Sequence, residues 1–210
     1  MTKPVPWPRV KRPLVAILRG VRPAEAEGIA AALVESGFEL IEVPLNSPDP
    51  FDSIARLAKR FGGDCLIGAG TVLGADDCAR VADAGGRLMV SPNVDIDVLA
   101  VACARGMVAV PGVFTATEAL LALRNGASAL KFFPASVLGP SGIAALRVVL
   151  PPETVVAAVG GVSDRNFADY TAVGVRAFGL GSSLYRPGMT AAEVRGTAQI
   201  AVRAYDAAVN

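Results

Sequence analysis

Residues 107–133, MVAVPGVFTATEALLALRNGASALKFF, contain the repeating unit from which we predict the fold. The segments MVAV at 107–110 and ALKFF at 129–133 are short and apolar except for Lys131, as buried strands are. Between them, apolar residues three or four positions apart over residues 115–125 predict an amphipathic helix, with Thr115 as its cap and Gly126 after its end. A strand, a helix and a second strand predict one unit of a parallel sheet.

The same unit recurs along the whole chain at a spacing of roughly two dozen residues. Eight segments are nearly continuously apolar: LVAIL from Leu14, ELIEV from Glu39, CLIGAG from Cys65, RLMV from Arg87, MVAV from Met107, ALKFF from Ala129, VVAAV from Val155 and AFGLG from Ala177. Further helices are predicted over residues 23–35, 76–84 and 95–105. Eight strand and helix units predict a single (β/α)₈ TIM barrel.

A doubly wound open sheet is the rival topology for such an alternating pattern. The even spacing of the strand segments, with no break at the midpoint, favours the closed barrel. We expect residues 1–13 to form an N-terminal lead-in across the bottom of the barrel and residues 14–210 to form the barrel domain.

Composition and charge exclude several classes of function. Twenty basic and 19 acidic residues leave a net charge of +1, so overall charge does not indicate a nucleic-acid partner. The chain has no histidine, which removes the commonest general base and the commonest metal ligand.

No apolar run approaches the length of a membrane span and the start of the chain does not resemble a signal peptide, so we expect a cytoplasmic protein without a membrane partner. Cys65, Cys78 and Cys103 fit neither a disulfide framework nor a metal-ligand spacing, and we interpret them as buried small side chains.

Candidate site residues follow from the barrel, because the active site of this fold lies where the strands end. The candidates that end the strand segments or break their apolar pattern are Arg19, Glu42, Thr71, Pro92, Asn93 and Lys131, with Val159, Gly160 and Gly161 at the end of the seventh segment and Gly181, Ser182 and Ser183 at the end of the eighth. Taken alone, Lys131 or Glu42 could be half of a structural ion pair, and glycines could serve only tight turns. Their projection from strand ends onto one rim favours a functional site.

The residue types on this rim suit a lysine nucleophile. Lysine attacks a carbonyl only when neutral, so its pKa must be lowered, which burial beside Phe132 and Phe133 and the charge of Arg19 would do. Glu42 would oppose that shift, and its presence indicates a role in proton transfer. Arg19 and Thr71 can bind a carboxylate, and glycine-rich loops after the last two strands are typical of a phosphate site.

The chain resembles the bacterial 2-keto-3-deoxy-6-phosphogluconate and 2-keto-3-deoxy-6-phosphogalactonate aldolases from about Leu14 to Tyr205. The matching segments are LVAILRG, IEVPLNSP, GAGTVL, VSPN, VPGVFTATEA, ALKFFPAS, AVGGVSDRN and GLGSSLYRPG. The resemblance implies a trimeric barrel that cleaves a phosphorylated keto sugar acid to pyruvate and glyceraldehyde 3-phosphate without a metal or other cofactor. It implies that Lys131 forms the Schiff base and Glu42 moves protons. It also implies that Arg19 and Thr71 bind the carboxylate, with Pro92 and Val159 among the substrate contacts and phosphate at Gly160, Gly161, Gly181 and Ser182.

Three positions resemble the galactonate branch of this family more than the gluconate branch. The gluconate enzymes commonly have arginine at the position of Asn46, glycine at that of Asn93 and threonine at that of Val159. An apolar Val159 lacks a hydroxyl that could bind the C4 hydroxyl of one epimer, so the galactonate epimer is expected and the gluconate epimer is the alternative. A phosphosugar epimerase or isomerase ranks lower because metal-dependent members need histidine ligands. A non-catalytic phosphosugar-binding barrel also ranks lower, because it would not need both Lys131 and Glu42.

Overall fold

A computed structural model describes residues 4–209; Met1, Thr2 and Lys3 of the predicted lead-in and Asn210 of the predicted barrel lie outside this range. The strands are β1 Leu14–Ile17, β2 Leu40–Pro44, β3 Leu66–Gly70, β4 Leu88–Val90, β5 Val108–Val110, β6 Gly112–Val113, β7 Leu130–Phe132, β8 Val156–Val159 and β9 Ala177–Leu180. The helices are α1 Pro23–Glu35, α2 Pro50–Phe61, α3 Ala75–Asp83, α4 Ile96–Ala104, α5 Ala116–Arg124, α6 Ala135–Arg147, α7 Phe167–Ala172 and α8 Ala191–Val209.

The strands form one parallel sheet in the order β5-β4-β3-β2-β1-β9-β8-β7-β6, so β5 and β6 lie at its two ends. These two strands are consecutive pieces of one chain segment, interrupted at Pro111, which has no N–H to donate. Across the seam, Lys131 N donates to Pro111 O at 3.0 Å and Ser128 N donates to Ala109 O at 2.8 Å. The predicted barrel is therefore confirmed, and its fifth predicted strand, present as β5, is followed by a second short piece, β6, that was not predicted.

The predicted helices occur where the sequence pattern places them, within one residue at either end. Asp95 caps α4 by accepting hydrogen bonds from Asp97 N and Val98 N. Thr115 caps α5 and forms a reciprocal capping box with Glu118. Gly126 follows α5 with a φ of 90°, a left-handed conformation that favours glycine at the end of a helix.

The apolar side chains of the strands belong to two separate cores, because successive side chains of a strand point to opposite faces of the sheet. The outer core lies between the sheet and the helices, where the ring of Phe167 in α7 is 4.7 Å from that of Phe178 in β9. The inner core fills the inside of the barrel and consists of Val15, Leu40, Leu88, Val90, Val108, Val110 and Ala129. Val5, Trp7 and Val10 of the N-terminal segment pack against this inner core.

Candidate active site

Lys131 lies in β7 with its side chain inside the barrel and only 6% of it exposed. Its Nζ atom is 5.0 Å from the centroid of the Phe133 ring, a distance that allows a cation–π contact. Phe132 belongs to the outer core on the opposite face of the strand. Of the two phenylalanines expected to desolvate the lysine, only Phe133 is therefore on its side of the sheet, because side chains two positions apart share a face.

Glu42 lies in β2 and is 3% exposed, and its Oε2 atom is buried without a hydrogen-bond partner. Gly70 in the neighbouring strand β3 makes room for this carboxylate. Burial raises the pKa of Glu42 to about 7, against the opposing effects of Lys131, Arg19 and a backbone hydrogen bond from Gly70. A carboxylate with this pKa can both accept and release a proton near neutral pH.

Burial also lowers the pKa of Lys131 to about 8, against the opposing charge of Glu42 and with a further lowering by Arg19. At pH 7 a group with that pKa is neutral in roughly one molecule in ten, compared with roughly one in 2,500 for an ordinary lysine. The barrel interior therefore makes the free amine of Lys131 available near neutral pH, the condition for attack on a carbonyl.

Arg19 connects the ends of three neighbouring strands. Its Nη1 atom donates a hydrogen bond to Asn46 Oδ1 at 2.5 Å, and its Nη2 atom donates to Thr71 Oγ1 at 3.5 Å. Thr71 has a φ of 55°, an uncommon conformation for a β-branched residue, and such strain concentrates at functional sites. Asn46 was not among the predicted site residues, because a loop asparagine carries no periodic signal in the sequence.

A cavity of about 550 Å³ opens beside these residues at the ends of the strands. Six of the predicted site residues line it: Arg19, Val159, Gly160, Gly161, Gly181 and Ser182. Gly160 and Gly161 have φ values of 91° and 77°, and a Cβ atom on Gly161 would lie 2.5 Å from that of Ser136. The loop after β8 therefore needs glycine at both positions, which leaves its backbone open to a bound anion.

Ser183, a candidate from the sequence, also lines this cavity, whereas the sequence pattern missed four further polar residues of it, namely Ser163, Asp164, Arg165 and Arg186. They lie in loops beyond the strands, where no alternation marks which side chains face the site. One signal could have revealed two of them: Arg165 and Arg186 each follow a glycine-rich loop predicted to bind phosphate, within five residues of its end. Together with Arg19, Arg165 and Arg186 place three positive charges around the cavity against the single carboxylate of Asp164, which suits an anionic ligand.

Lys131 and Glu42 line a second, smaller cavity of about 20 Å³ inside the barrel. Ile17, Val159 and Gly179 line both cavities, so the two lie side by side. Pro92 lies beyond the end of β4 against the backbone of Gly112 and lines neither cavity, so its contact with a substrate stays a prediction.

The three cysteines are free and buried, as interpreted from the sequence. Burial raises the pKa of Cys65 to about 12 and that of Cys78 to about 11, so neither is a ready nucleophile. Among residues 4–209, no group of three or more histidine, cysteine, aspartate or glutamate side chains is arranged to hold a metal ion. Within the same range, none of the helices combines the length and apolar character that a membrane crossing requires.

Comparison with known proteins gives consistent matches over nearly the whole chain. The family model described as "KDPG and KHG aldolase" matches residues 9–201. The chain is 62% identical over 203 residues to the probable 2-dehydro-3-deoxy-6-phosphogalactonate aldolase of Rhizobium meliloti strain 1021, an alignment that covers 97% of this chain and 96% of the relative. It is 44% identical over 201 residues to the 2-dehydro-3-deoxy-6-phosphogalactonate aldolase of Escherichia coli K12, covering 96% and 98%. A solved structure described as "Native KDPGal structure" superposes with a TM-score of 0.95 at 44% identity and covers 97% of this chain and 98% of that one.

Proposed function

Because the chain belongs to the KDPG and KHG aldolase family, we propose that it is the aldehyde-lyase that cleaves 2-dehydro-3-deoxy-6-phospho-D-galactonate to pyruvate and D-glyceraldehyde 3-phosphate. The observation that carries the mechanism is the pairing of a buried lysine, Lys131, with a buried and unpartnered carboxylate, Glu42, in one interior cavity. The lysine supplies the nucleophile and the carboxylate supplies the proton transfers that each step requires.

The reaction begins when the neutral amine of Lys131 attacks the C2 ketone of the substrate. The resulting carbinolamine loses water and becomes an iminium ion linked to Lys131. Glu42 then takes the proton of the C4 hydroxyl, the C3–C4 bond breaks, and its electron pair moves into the iminium as an enamine. The C4 fragment leaves as the aldehyde, the enamine carbon receives the proton back from Glu42, and water hydrolyses the pyruvate imine to regenerate the free lysine.

Two anion-binding regions hold the ends of the substrate in this proposal. Arg19 and Thr71 bind the carboxylate next to the keto carbon, and the guanidinium already lies within hydrogen-bond range of the threonine hydroxyl. Backbone N–H groups of Gly160, Gly161 and Gly181, with the Ser182 hydroxyl, bind the phosphate at the other side of the larger cavity. Holding both ends fixes the C3–C4 bond over Lys131 and Glu42.

Val159 is the residue that we propose to select between the C4 epimers. It lines both cavities, at the boundary between the nucleophile and the phosphate loops, where the middle of the substrate would lie. Its side chain cannot hydrogen-bond a hydroxyl, so it offers nothing specific to the gluconate epimer. Two relatives with 62% and 44% identity carry the galactonate name, which supports the same preference here.

Assembly and location complete the proposal. A homotrimer is implied by the family resemblance, and Val137, Val148 and Val149 near the ends of α6 are exposed apolar side chains suited to a subunit contact. Light scattering is expected to give three times the chain mass, and Val148→Asp is expected to lower it. A cytoplasmic location fits the three free thiols.

The decisive experiment traps the Schiff base. The protein is incubated with pyruvate and sodium borohydride, and the intact mass and peptide map are recorded. We expect one pyruvate-derived adduct, on the peptide that contains Lys131, and no adduct in Lys131→Met. The exposed Lys59 serves as an internal control. If no adduct forms on Lys131, the Schiff-base mechanism is wrong.

A further inference from the structure

Trp7, the single tryptophan of the chain, lies in the N-terminal segment at the end of the barrel where the strands begin. It packs against the inner core, whose members include Leu40 and Ala129. These two residues precede Glu42 and Lys131 by two positions in their strand segments, so their side chains form the layer directly beneath the reactive pair.

The small interior cavity connects Trp7 to the reactive pair directly. Trp7, Lys131 and Glu42 all line it, and the remaining lining residues are apolar or glycine. Its volume of about 20 Å³ is enough for roughly one water molecule. The indole thus forms the strand-start side of the cavity that Glu42 lines, and the Oε2 atom of Glu42 is buried without a partner.

The opposite end of the barrel opens into the larger cavity, where the substrate is proposed to enter and cover the site. A substrate bound there would not keep water from reaching Lys131 and Glu42 from the end of the barrel where the strands begin. Water reaching Lys131 would stabilise its ammonium form and reduce the fraction of free amine. It would also compete with the substrate for the buried carboxylate of Glu42.

We propose that Trp7 is a positioning residue of the aldolase reaction: its indole closes the strand-start end of the barrel and keeps water away from Lys131 and Glu42. This inference rests on the proposed function of Lys131 as the nucleophile. The charged groups that act on Lys131 are Glu42 from β2 and Arg19 after β1. The two strands paired with β7, namely β6 and β8, contain no charged residue, so burial and the charge of Arg19 together keep the amine of Lys131 available.

The test measures the pH dependence of Schiff-base chemistry with pyruvate alone. Exchange of the pyruvate methyl hydrogens for deuterium requires the enamine and is followed by NMR from pH 6 to pH 10. For Trp7→Ala we expect exchange about tenfold slower at pH 7, with the midpoint of the profile about one pH unit higher and the alkaline plateau preserved. A residue that only stabilised the fold would leave the midpoint in place.

Two matched variants distinguish closure of the small cavity by the indole from a general loss of packing in the inner core. Trp7→Phe keeps an aromatic ring and is expected to exchange within about twofold of wild type, with an unshifted midpoint. Val10→Ala removes volume from a side chain that packs against the same inner core without lining the small cavity. It is expected to leave the midpoint in place even where it lowers the Tm. A folded Trp7→Ala with the wild-type profile, or an equal shift in Val10→Ala, would overturn the proposal.

If circular dichroism shows that Trp7→Ala does not fold, Trp7→Leu is measured in the same way and judged by the same midpoint. The wild-type protein gives an independent measurement, because its whole tryptophan emission comes from Trp7. Reductive trapping of pyruvate on Lys131 is expected to change that emission, and an unchanged spectrum would contradict a shared cavity. If wild type forms no adduct, the proposed function itself fails; if it forms the adduct but Trp7→Leu has the wild-type midpoint, only the role of Trp7 fails.

Discussion

A Cβ atom at Gly70 would lie 2.0 Å from Oε2 of Glu42, so the absence of a side chain in β3 is what allows the carboxylate of β2 to occupy its place. Gly70 takes no part in the reaction itself, but it makes room for the proposed proton shuttle. Gly70 does not have a positive φ, so glycine is required at this position by space and not by backbone conformation.

Gly70→Ala is therefore expected to displace the Glu42 carboxylate and reduce kcat for cleavage by at least about a hundredfold, the scale of a lost general base. The Tm should fall as well, because the neighbouring strand must move. Gly28→Ala is the matched control, since its Cβ would meet nothing within 4 Å in α1, and it should keep full activity and add up to about 1 kcal/mol of stability. Wild-type kcat in Gly70→Ala would contradict this account of Glu42.

Glu42→Gln tests the carboxylate without changing its size. We expect kcat for cleavage to fall by about 10²–10⁴-fold because the amide cannot take the proton of the C4 hydroxyl. The Tm should change little near pH 7, because the raised pKa of Glu42, about 7, leaves the carboxyl partly neutral there and an amide of the same size keeps the packing. Steady-state kinetics and thermal unfolding give both quantities, and a marked loss of Tm would instead indicate a structural role for the carboxylate.

Lys131→Met is expected to abolish cleavage and to raise the free energy of unfolding by about 1–3 kcal/mol at pH 7. The sign follows from the lowered pKa of Lys131, about 8 in the folded protein against an ordinary value of 10.5. The unfolded chain holds the proton more tightly, so wild type carries the full penalty below about pH 8 and loses it as the pH rises to about 10.5. Urea unfolding of both proteins at pH 7 and pH 10 measures the difference, which should shrink at the higher pH.

Thr71→Gly is expected to separate stability from binding. Glycine adopts a φ of 55° without the steric cost that threonine has there, so the free energy of unfolding should rise by up to about 1 kcal/mol. The hydroxyl that lies near Arg19 is lost, so KM should rise while kcat changes less. Thr71→Ser keeps the hydroxyl and is expected to retain the wild-type KM. An unchanged KM in Thr71→Gly would remove Thr71 from the carboxylate site.

Val159→Thr is expected to raise kcat/KM for the gluconate epimer relative to the galactonate epimer by about tenfold, the scale of one added hydroxyl contact. Val159→Ala is the control, because it opens space without adding a hydrogen-bonding group and should not favour the gluconate epimer. The ratio is measured with both substrates in the same coupled assay of pyruvate release. If threonine leaves the ratio unchanged, selection between the epimers lies elsewhere in the cavity.

The barrel was predictable because the strand segments are nearly continuously apolar and four of the helices between them have a clear periodicity. Lys131 and Glu42 were visible for the same reason, as charges inside such apolar segments. Of the two phenylalanines predicted to desolvate Lys131, Phe133 lies beside it and Phe132 does not, which strand alternation alone already indicates. The contact between Arg19 and Asn46 and the left-handed backbone of Thr71 were not predictable, because both depend on how loops meet in space.

The interruption at Pro111 also divides the site in two along the chain. Arg19, Glu42 and Thr71 all precede it, whereas Lys131, Val159 and the phosphate-binding loops all follow it. In the proposed mechanism, the first half-barrel thus holds the acid–base group and the residues that bind the carboxylate. The second half-barrel holds the nucleophile and the loops that bind the phosphate. Neither half has a complete set of reacting groups, so a complete catalyst exists only when the two halves have closed on each other.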